Sequence, residues 1–512
     1  MGGIEQLKEL MSINTCIEID EIEKHFNQIA ELLFGKFAIR KGNTLYLLKE
    51  VEFYFYNRNH RDIITHPRIS NSLCWYVNNF GGIDLNFGST IDTISNIGKR
   101  GKNSQKYILN SDACFGGILI RQLMNKENGD VLEGPWACAE LFRCYDATGY
   151  DSDQPLIIEH NSGMVSYIRK PRINLLTAGQ TVEKKVNYIL GDYAEHPQAE
   201  ELYCDFTSFK DRVYRYVRCD KLMHDEETNV VYFSPLLKSS HPAFYQRLKE
   251  LLQDIRIEYR ELKYTKDYWA RDYMPFQLGK DSFLKYRYYP DYLVNSKDDN
   301  DKEYITNCTK VLRGMGISCN STDLIIDGGN MVACGPYIVM TDKVYVENHC
   351  KKDDAEFKAR LESEIGHPVI IIPWTMHGDF DAKDTDKYGH SDGFIKWCGD
   401  NRILMCNHGD EYPEEATAIR NELEKYGFEV TEMRFNNKVA SPIADLNWAY
   451  INFLQVGKHI IMPIFNIEED SIAYNYIADA FPDCTIHQIE MAEIAEEGGA
   501  LHCISWNICQ NN

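Results

Sequence analysis

The sequence predicts an α/β protein in two parts: a mixed, strand-rich α/β domain over residues 1–220, then a second α/β domain over residues 228–512 built from a recurring unit. Three observations predict it. A chain of 512 residues exceeds what one hydrophobic core ordinarily serves. Residues 1–220 carry 25 basic and 29 acidic side chains, so −18 of the net −22 falls on the remainder. After residue 228 the pattern changes from glycine-punctuated strands to an alternation of strand and helix that returns roughly every 50–70 residues, a rhythm compatible with a propeller of like units.

Composition narrows the function. Hydrophobic and aromatic fractions of 44% and 12% belong to a folded chain rather than a disordered one. The start lacks a basic region followed by an apolar core, so no secretory signal is expected, and no apolar run is long enough to span a membrane. Sixteen cysteines are scattered without a CxxC pair, which argues for free thiols in a reducing, cytoplasmic compartment and against zinc. The acidic balance disfavours nonspecific nucleic-acid binding and suits a cationic substrate.

In order, the first domain reads as a helical lead-in over 1–45, with Ile22, Phe26, Ile29 and Leu33 at helical spacing. A strand from Leu45 to Tyr56 follows, then the polar loop Asn57–Asp62, then strands at Trp75–Val77, Gly81–Phe87 and Gly116–Arg121. Residues 89–112, rich in Ser, Asn, Gly and Lys, read as an exposed loop. A connector near 191–228 carries Gly191-Asp192 and Glu195-His196-Pro197. The second domain opens with a strand at Val230–Phe233 and a helix with Ser240 as N-cap and Pro242 in its first turn. A strand-like run spans Ile255–Leu262. Helices at about 353–365 and 413–426 then alternate with strands at Val369–Ile372, Arg402–Cys406, His459–Met462 and Thr485–Ile489.

Glu52-Phe53-Tyr54, His66, Asn86 and the strand Ile118–Arg121 resemble the alkyladenine-type DNA glycosylases. The resemblance implies that Glu52 activates water against a glycosidic bond, that Tyr54 and His66 line a base pocket, and that a nucleotide or nucleic acid is a partner of the first domain. Such proteins carry a basic face, which this near-neutral segment lacks.

The chemistry gathers in four stretches of the second domain: Trp269-Ala270-Arg271-Asp272, Asp327-Gly328-Gly329-Asn330, Gly389-His390-Ser391-Asp392-Gly393, and Gly498-Gly499-Ala500-Leu501-His502-Cys503. They supply a thiol, an imidazole and carboxylates. Carboxylates match the planar fork of N–H donors on a guanidinium, so Asp272 and Asp392 are suited to hold its two edges. A thiolate at Cys503 would attack the fixed central carbon, and His390 would serve as acid and base. The bound cation itself would favour the thiolate. Read as a strand, His390 and Asp392 share one face, whereas His502 points away from Cys503 and takes no role.

With Met274-Pro275 and Ala449-Tyr450-Ile451-Asn452-Phe453 added, five motifs over residues 228–512 resemble the agmatine deiminase and bacterial-type peptidylarginine deiminase family. The resemblance implies a five-bladed α/β propeller, the pentein fold, and hydrolysis of a guanidine to a ureido product and ammonia through a thiouronium intermediate, with no cofactor and no metal. Carried over by motif, Cys503 is the nucleophile, His390 the acid and base, and Asp272 and Asp392 the guanidinium ligands. Trp269 belongs to the pocket wall, with Arg271, Asp327, Asn330 and Asn452 as further binding residues. Arg271 would brace the loop or meet a substrate carboxylate. Asp327 stands where glutamate is frequent in the family, and Ser391-Asp392 differs from the usual Ile/Val-Asp, which leaves the substrate subclass open. Amidino transfer to an amine, and a nucleotide-processing role with the first domain selecting the target, remain alternatives. A homo-oligomer is also left open.

Overall fold

The computed structural model describes residues 3–12, 18–78, 81–97, 103–142, 154–163, 165–176, 178–194, 199–295, 299–374, 388–410, 412–435 and 444–510. The Glu195-His196-Pro197 part of the expected connector lies outside them. The chain divides into two compact units, Met1–Cys219 and Asp220–Asn512. Among the described residues no helix is long and apolar enough to cross a membrane.

The N-terminal unit is organised on a nine-stranded sheet whose spine runs Tyr167–Lys170, Arg215–Arg218, Thr44–Tyr56, Phe115–Asn125, Ile83–Asn86, Trp75–Val77. Neighbouring strands are antiparallel throughout that spine. Thr44–Tyr56 alternates as a two-faced strand must: Val51, Phe53 and Phe55 lie in the apolar core, where Phe53 stacks on Phe26 of the helix Ile19–Gly35 with ring centroids 4.6 Å apart. That helix buries Ile22, Phe26, Ile29 and Leu33, as the spacing predicted. The lead-in is not helical to residue 45, because Phe37–Lys41 is already a strand, paired with Thr44–Tyr56 and Leu156–Glu159. The 89–112 stretch is not a loop either. Asp92–Ile97 and Asn103–Ile108 form a two-stranded antiparallel sheet, held by backbone pairing that a polar composition does not announce.

Glu52 sits on the other face of the long strand and is wholly buried. Its Oε2 accepts from Tyr54 Oη and Arg121 Nη2, each at 2.7 Å, and its Oε1 accepts from Ile173 N at 2.9 Å. Both oxygens are therefore taken, and Glu52 is an ion-pair partner rather than a group placed to activate water. Tyr54 belongs to the same network, Asn86 accepts from Arg68 Nη1 at 3.1 Å, and the half-buried His66 has Nδ1 3.7 Å from Asp192 Oδ2. These contacts place Glu52, Tyr54 and Asn86 in buried polar pairings, with Asn86 Nδ2 left without a hydrogen-bond partner.

The C-terminal unit contains five three-stranded sheets. In each, the middle strand pairs antiparallel with one neighbour and parallel with the other. The sets are Phe276–Gly279, Ser282–Arg287, Asn320–Ile325; Val332–Cys334, Tyr337–Thr341, Val369–Ile372; Ile395–Trp397, Arg402–Met405, Glu429–Glu432; and Leu454–Val456, His459–Ile464, Thr485–Glu490. The fifth sheet joins distant parts of the sequence: Val230–Phe233 runs parallel to Glu258–Glu261 and antiparallel to Ser505–Ile508.

The recurring unit is thus a hairpin, a helical crossover and a parallel strand. One shows why. Val369–Ile372 is an uninterrupted β-branched run, suited to a parallel strand buried on both faces. The helix before it, Ala355–Ile365, begins where Asp354 Oδ1 accepts from Glu356 N and Phe357 N at 3.0 Å, and ends at Gly366 with φ +83°. Phe357, Leu361 and Ile365 form its buried stripe.

Two expected boundaries move. His241, not Ser240, precedes the helix Pro242–Asp254, because Ser240 closes a short helix Pro235–Ser240 capped by Ser234. The Ile255–Leu262 run contracts to Glu258–Glu261, since Arg256 at φ +60° interrupts any extended segment.

Candidate active site

Each chemical motif lies on the same kind of connection, the one that leaves the parallel strand of one unit and enters the first hairpin strand of the next. Asp272 precedes Phe276–Gly279, Asn330 precedes Val332–Cys334, Asp392 precedes Ile395–Trp397, Asn452 precedes Leu454–Val456, and Cys503 precedes Ser505–Ile508. Within these connections the motifs occupy short helical turns: Ala270–Tyr273, Gly328–Asn330 and Ser391–Gly393. His390 and Asp392 therefore do not share a strand face; His390 caps a 3₁₀ turn that contains Asp392.

The turns converge on Gly329. A Cβ there would lie 2.7 Å from His390 Nδ1, 2.8 Å from Asp272 Oδ1 and 3.2 Å from Asp392 Oδ1. Even a Cβ would crowd these atoms, so glycine at 329 is what lets an imidazole and two carboxylates converge so closely. Asp272 Oδ1 accepts from Gly329 N at 3.1 Å and stands 3.5 Å from His390 Nδ1. Asp392 Oδ1 is buried without a hydrogen-bond partner, while its Oδ2 lies 3.8 Å from Cys503 Sγ. Leaving a buried carboxylate oxygen unbonded costs about 1–3 kcal/mol, which identifies the place as one where a donor belongs.

Charge at the site follows from burial and neighbours. Burial pushes the Cys503 thiol well above its ordinary value, and Asp392 and Asp272 push it the same way, so the empty site holds a protonated thiol. His390 is buried, which opposes its charge, yet Asp272 and Asp327 prevail and raise it to about 9. Burial, with Asp327 and Asp392 nearby, holds the Asp272 carboxyl above the usual range against the opposing pull of His390. For Asp392, burial is outweighed by the hydrogen bond from His502, and its carboxyl is held below the usual range.

The remaining expected residues are supports. Asp327 Oδ2 accepts from Lys343 Nζ at 2.7 Å and lies 3.0 Å from His390 Nε2. Asn330 Oδ1 accepts from Thr341 N at 2.8 Å and Ser391 N at 3.3 Å. Asn452 is a bracket: its Oδ1 accepts from Cys503 N, and its Nδ2 donates to Asp392 O, each at 3.2 Å. Arg271 N donates to Cys503 O at 3.0 Å, Arg271 Nε to His502 O at 3.4 Å, and Nη2 to Asn507 Oδ1. These hydrogen bonds make Arg271 a brace, and Asn330 Nδ2 remains buried without a hydrogen-bond partner. Trp269 is half-buried against Gly499, where a Cβ would overlap its ring; the glycine lets the wall close onto the loop that carries Cys503.

Two residues escaped the sequence. Lys343 is completely buried among Asp327, Glu347 at 3.1 Å and Asp291 at 3.4 Å. Its only signal is a lysine opening the run Lys343-Val344-Tyr345-Val346. His502 Nδ1 lies 2.6 Å from Asp392 Oδ2. It was set aside on strand alternation, but residues 501–504 form a turn, so neighbouring side chains need not oppose one another.

A buried thiol, imidazole and paired carboxylates delivered by the connections of repeated α/β units define a class of cysteine-bearing proteins. Residues 207–508 match the profile of the Porphyromonas-type peptidyl-arginine deiminase family, and the chain belongs to that family. A Legionella pneumophila (strain Philadelphia 1) protein named provisionally as an agmatine deiminase is 38% identical over 195 residues, covering 36% of this chain and 55% of that one. The agmatine deiminase of Ectopseudomonas mendocina is 24% identical over 216 residues, covering 35% and 56%. The chain spans about half the length of these curated relatives. The solved C. jejuni agmatine deiminase covers 57% of this chain and 96% of its own, with 17% identity and a TM-score of 0.46.

Proposed function

We propose that the C-terminal unit hydrolyses a guanidine to a ureido product and ammonia, with Cys503 as nucleophile, on a five-bladed propeller made of the five three-stranded sheets. The observation that carries the reading is the convergence of Asp272, the unpartnered Oδ1 of Asp392 and His390 Nδ1 around Gly329, with the other oxygen of Asp392 3.8 Å from Cys503 Sγ. Asp272 and Asp392 take the N–H donors of the guanidinium and fix its central carbon. The arriving positive charge lowers the thiol pKa, and Cys503 sheds its proton to solvent. The thiolate adds to the carbon. His390, charged at neutral pH, protonates the departing nitrogen, and ammonia leaves a cationic thiouronium on Sγ. Neutral His390 then takes a proton from water, whose hydroxide adds to the same carbon; collapse expels the thiolate and leaves the urea. Because Arg271 is committed to His502 and Asn507, it is not offered to a substrate carboxylate.

The test measures ammonia and ureido product from agmatine, arginine, arginyl peptides and simple guanidines, with Cys503→Ala as control. Turnover of one member, lost in the control, is expected. Turnover that survives the substitution, or none at all by folded protein, would sink the reading.

A further inference from the structure

We propose that His502 is a positioning residue for guanidinium recognition: by donating from Nδ1 to Asp392 Oδ2 it decides which oxygen of Asp392 faces the substrate. The inference rests on the guanidine reading of the site and deepens it. The two oxygens of Asp392 are unequal. Oδ2 meets His502 Nδ1 at 2.6 Å and faces Cys503 Sγ at 3.8 Å, whereas Oδ1 has no partner and lies beside Gly329 with Asp272 and His390. A carboxylate without that donor is free to turn about its Cβ–Cγ bond and to spend Oδ1 on the thiol, leaving the cation one acceptor short.

The ring is held at Nδ1; its Nε2 lies 4.0 Å from Asp225 Oδ2, too far for a hydrogen bond. Asp225 in turn accepts from Lys396 Nζ at 2.7 Å and Asn507 Nδ2 at 2.9 Å. The backbone is fixed too, since His502 N donates to Asn452 O at 3.0 Å and His502 O accepts from Arg271 Nε. On this side lies a cavity of about 160 Å³ lined by Asp225, Arg271, Lys396 and His502, among others, and not by Cys503, His390, Asp272 or Asp392. His502 thus has Asp392 on one side and this cavity on the other. Burial, reinforced by Arg271 and Lys396, lowers its pKa to about 4, so at neutral pH the ring is uncharged and carries one proton. The carboxylate of Asp392 at 2.6 Å places that proton on Nδ1.

The test compares alkylation of Cys503 in the full chain by 2-chloroacetamidine, a cationic amidine, with that by 2-chloroacetamide, its neutral counterpart, read by peptide mass spectrometry. The preference for the amidine, corrected for that of free cysteine, is expected to be about a hundredfold in the unsubstituted protein and to fall at least tenfold in His502→Ala. His502→Asn, whose amide nitrogen occupies the Nδ1 position, should restore it to within about threefold; His502→Gln, with its donor displaced, should not. On a guanidine that is turned over, KM should rise more than kcat falls. Retention of the full preference by His502→Ala or His502→Gln, whichever folds with unchanged thermal unfolding, overturns the proposal. Absence of any preference in the unsubstituted protein overturns the guanidine reading as well, and is recognised before any substitution is made.

Discussion

In the N-terminal unit, Glu52 meets Arg121, Asp84 meets Arg68, and Asp62 receives Arg172 on both oxygens, at 2.6 and 3.1 Å. In the C-terminal unit, Asp272 and Asp392 are as deeply buried, and among the described residues no lysine or arginine forms an ion pair with either. The first set is balanced by arginine; in the second, Asp272 faces the imidazolium of His390 at 3.5 Å and Asp392 the uncharged ring of His502 at 2.6 Å. Sequence motifs of similar appearance, Glu-x-Tyr in one unit and Ala-Arg-Asp in the other, are told apart by those partners. An orphaned oxygen alone does not mark a site, since Asp327 Oδ1 is also buried without a partner; Asp392 Oδ1 differs in lying with Asp272 and His390 around Gly329.

Substitutions in the two sets should fail in opposite ways. Asp392→Asn should lower kcat/KM by about a thousandfold or more, about 4 kcal/mol, with no loss in thermal unfolding temperature, because it removes a buried charge without a cationic partner. A fall in stability matching the fall in activity would break the comparison. Asp62→Ala should instead cost about 3 kcal/mol or more in urea unfolding, since it strands Arg172 without exposure to water. A loss well under 1 kcal/mol would show that the arginine pairs are not what distinguishes that unit. Guanidine substrate added to the Cys503→Ala protein should stabilise it by about 2.7 kcal/mol at a hundred times its dissociation constant, a shift Asp392→Asn should abolish.

The smallest effect concerns pH. His390 is raised from an ordinary value near 6.5 to about 9, so the stability its charged form contributes is complete below about 6.5 and is lost as pH rises through about 9. The acid needed for ammonia departure disappears over the same upper range. Activity at pH 10 should be about a tenth of that at pH 8, and a pH–rate profile without a descending limb near 9 would remove His390 from that role.

How far the sequence was legible follows the same division. Cys503, His390, Asp272 and Asp392 could be picked out because their residue types suit one reaction and their motifs occur in a recognisable order. Their supports could not. Lys343 and His502 matter through where they lie relative to Asp327 and Asp392, 16 and 110 residues away respectively. Asn452 looked like a binding residue because its motif says only that an asparagine is required; its hydrogen bonds show it bracing Cys503 and Asp392. In the fold, helices with apolar stripes were readable, while the Asp92–Ile97 and Asn103–Ile108 pair was not, because backbone pairing leaves little trace in a polar sequence. Reading residues 389–393 as a strand failed for a related reason: a 3₁₀ turn is too short to establish a period.

The strand Ser505–Ile508 completes a sheet begun by Val230–Phe233, and Cys503 lies two residues before it. During synthesis the opening strand emerges about 270 residues ahead of its partner, a wait of roughly 15–50 s at 5–20 residues per second. Throughout that interval the exposed edge of Val230–Phe233 is open to unwanted pairing and thus a natural point for chaperone protection. Cys503 arrives with the segment that ends the exposure, so assembly of the candidate site and closure of the unit become a single late event in biogenesis.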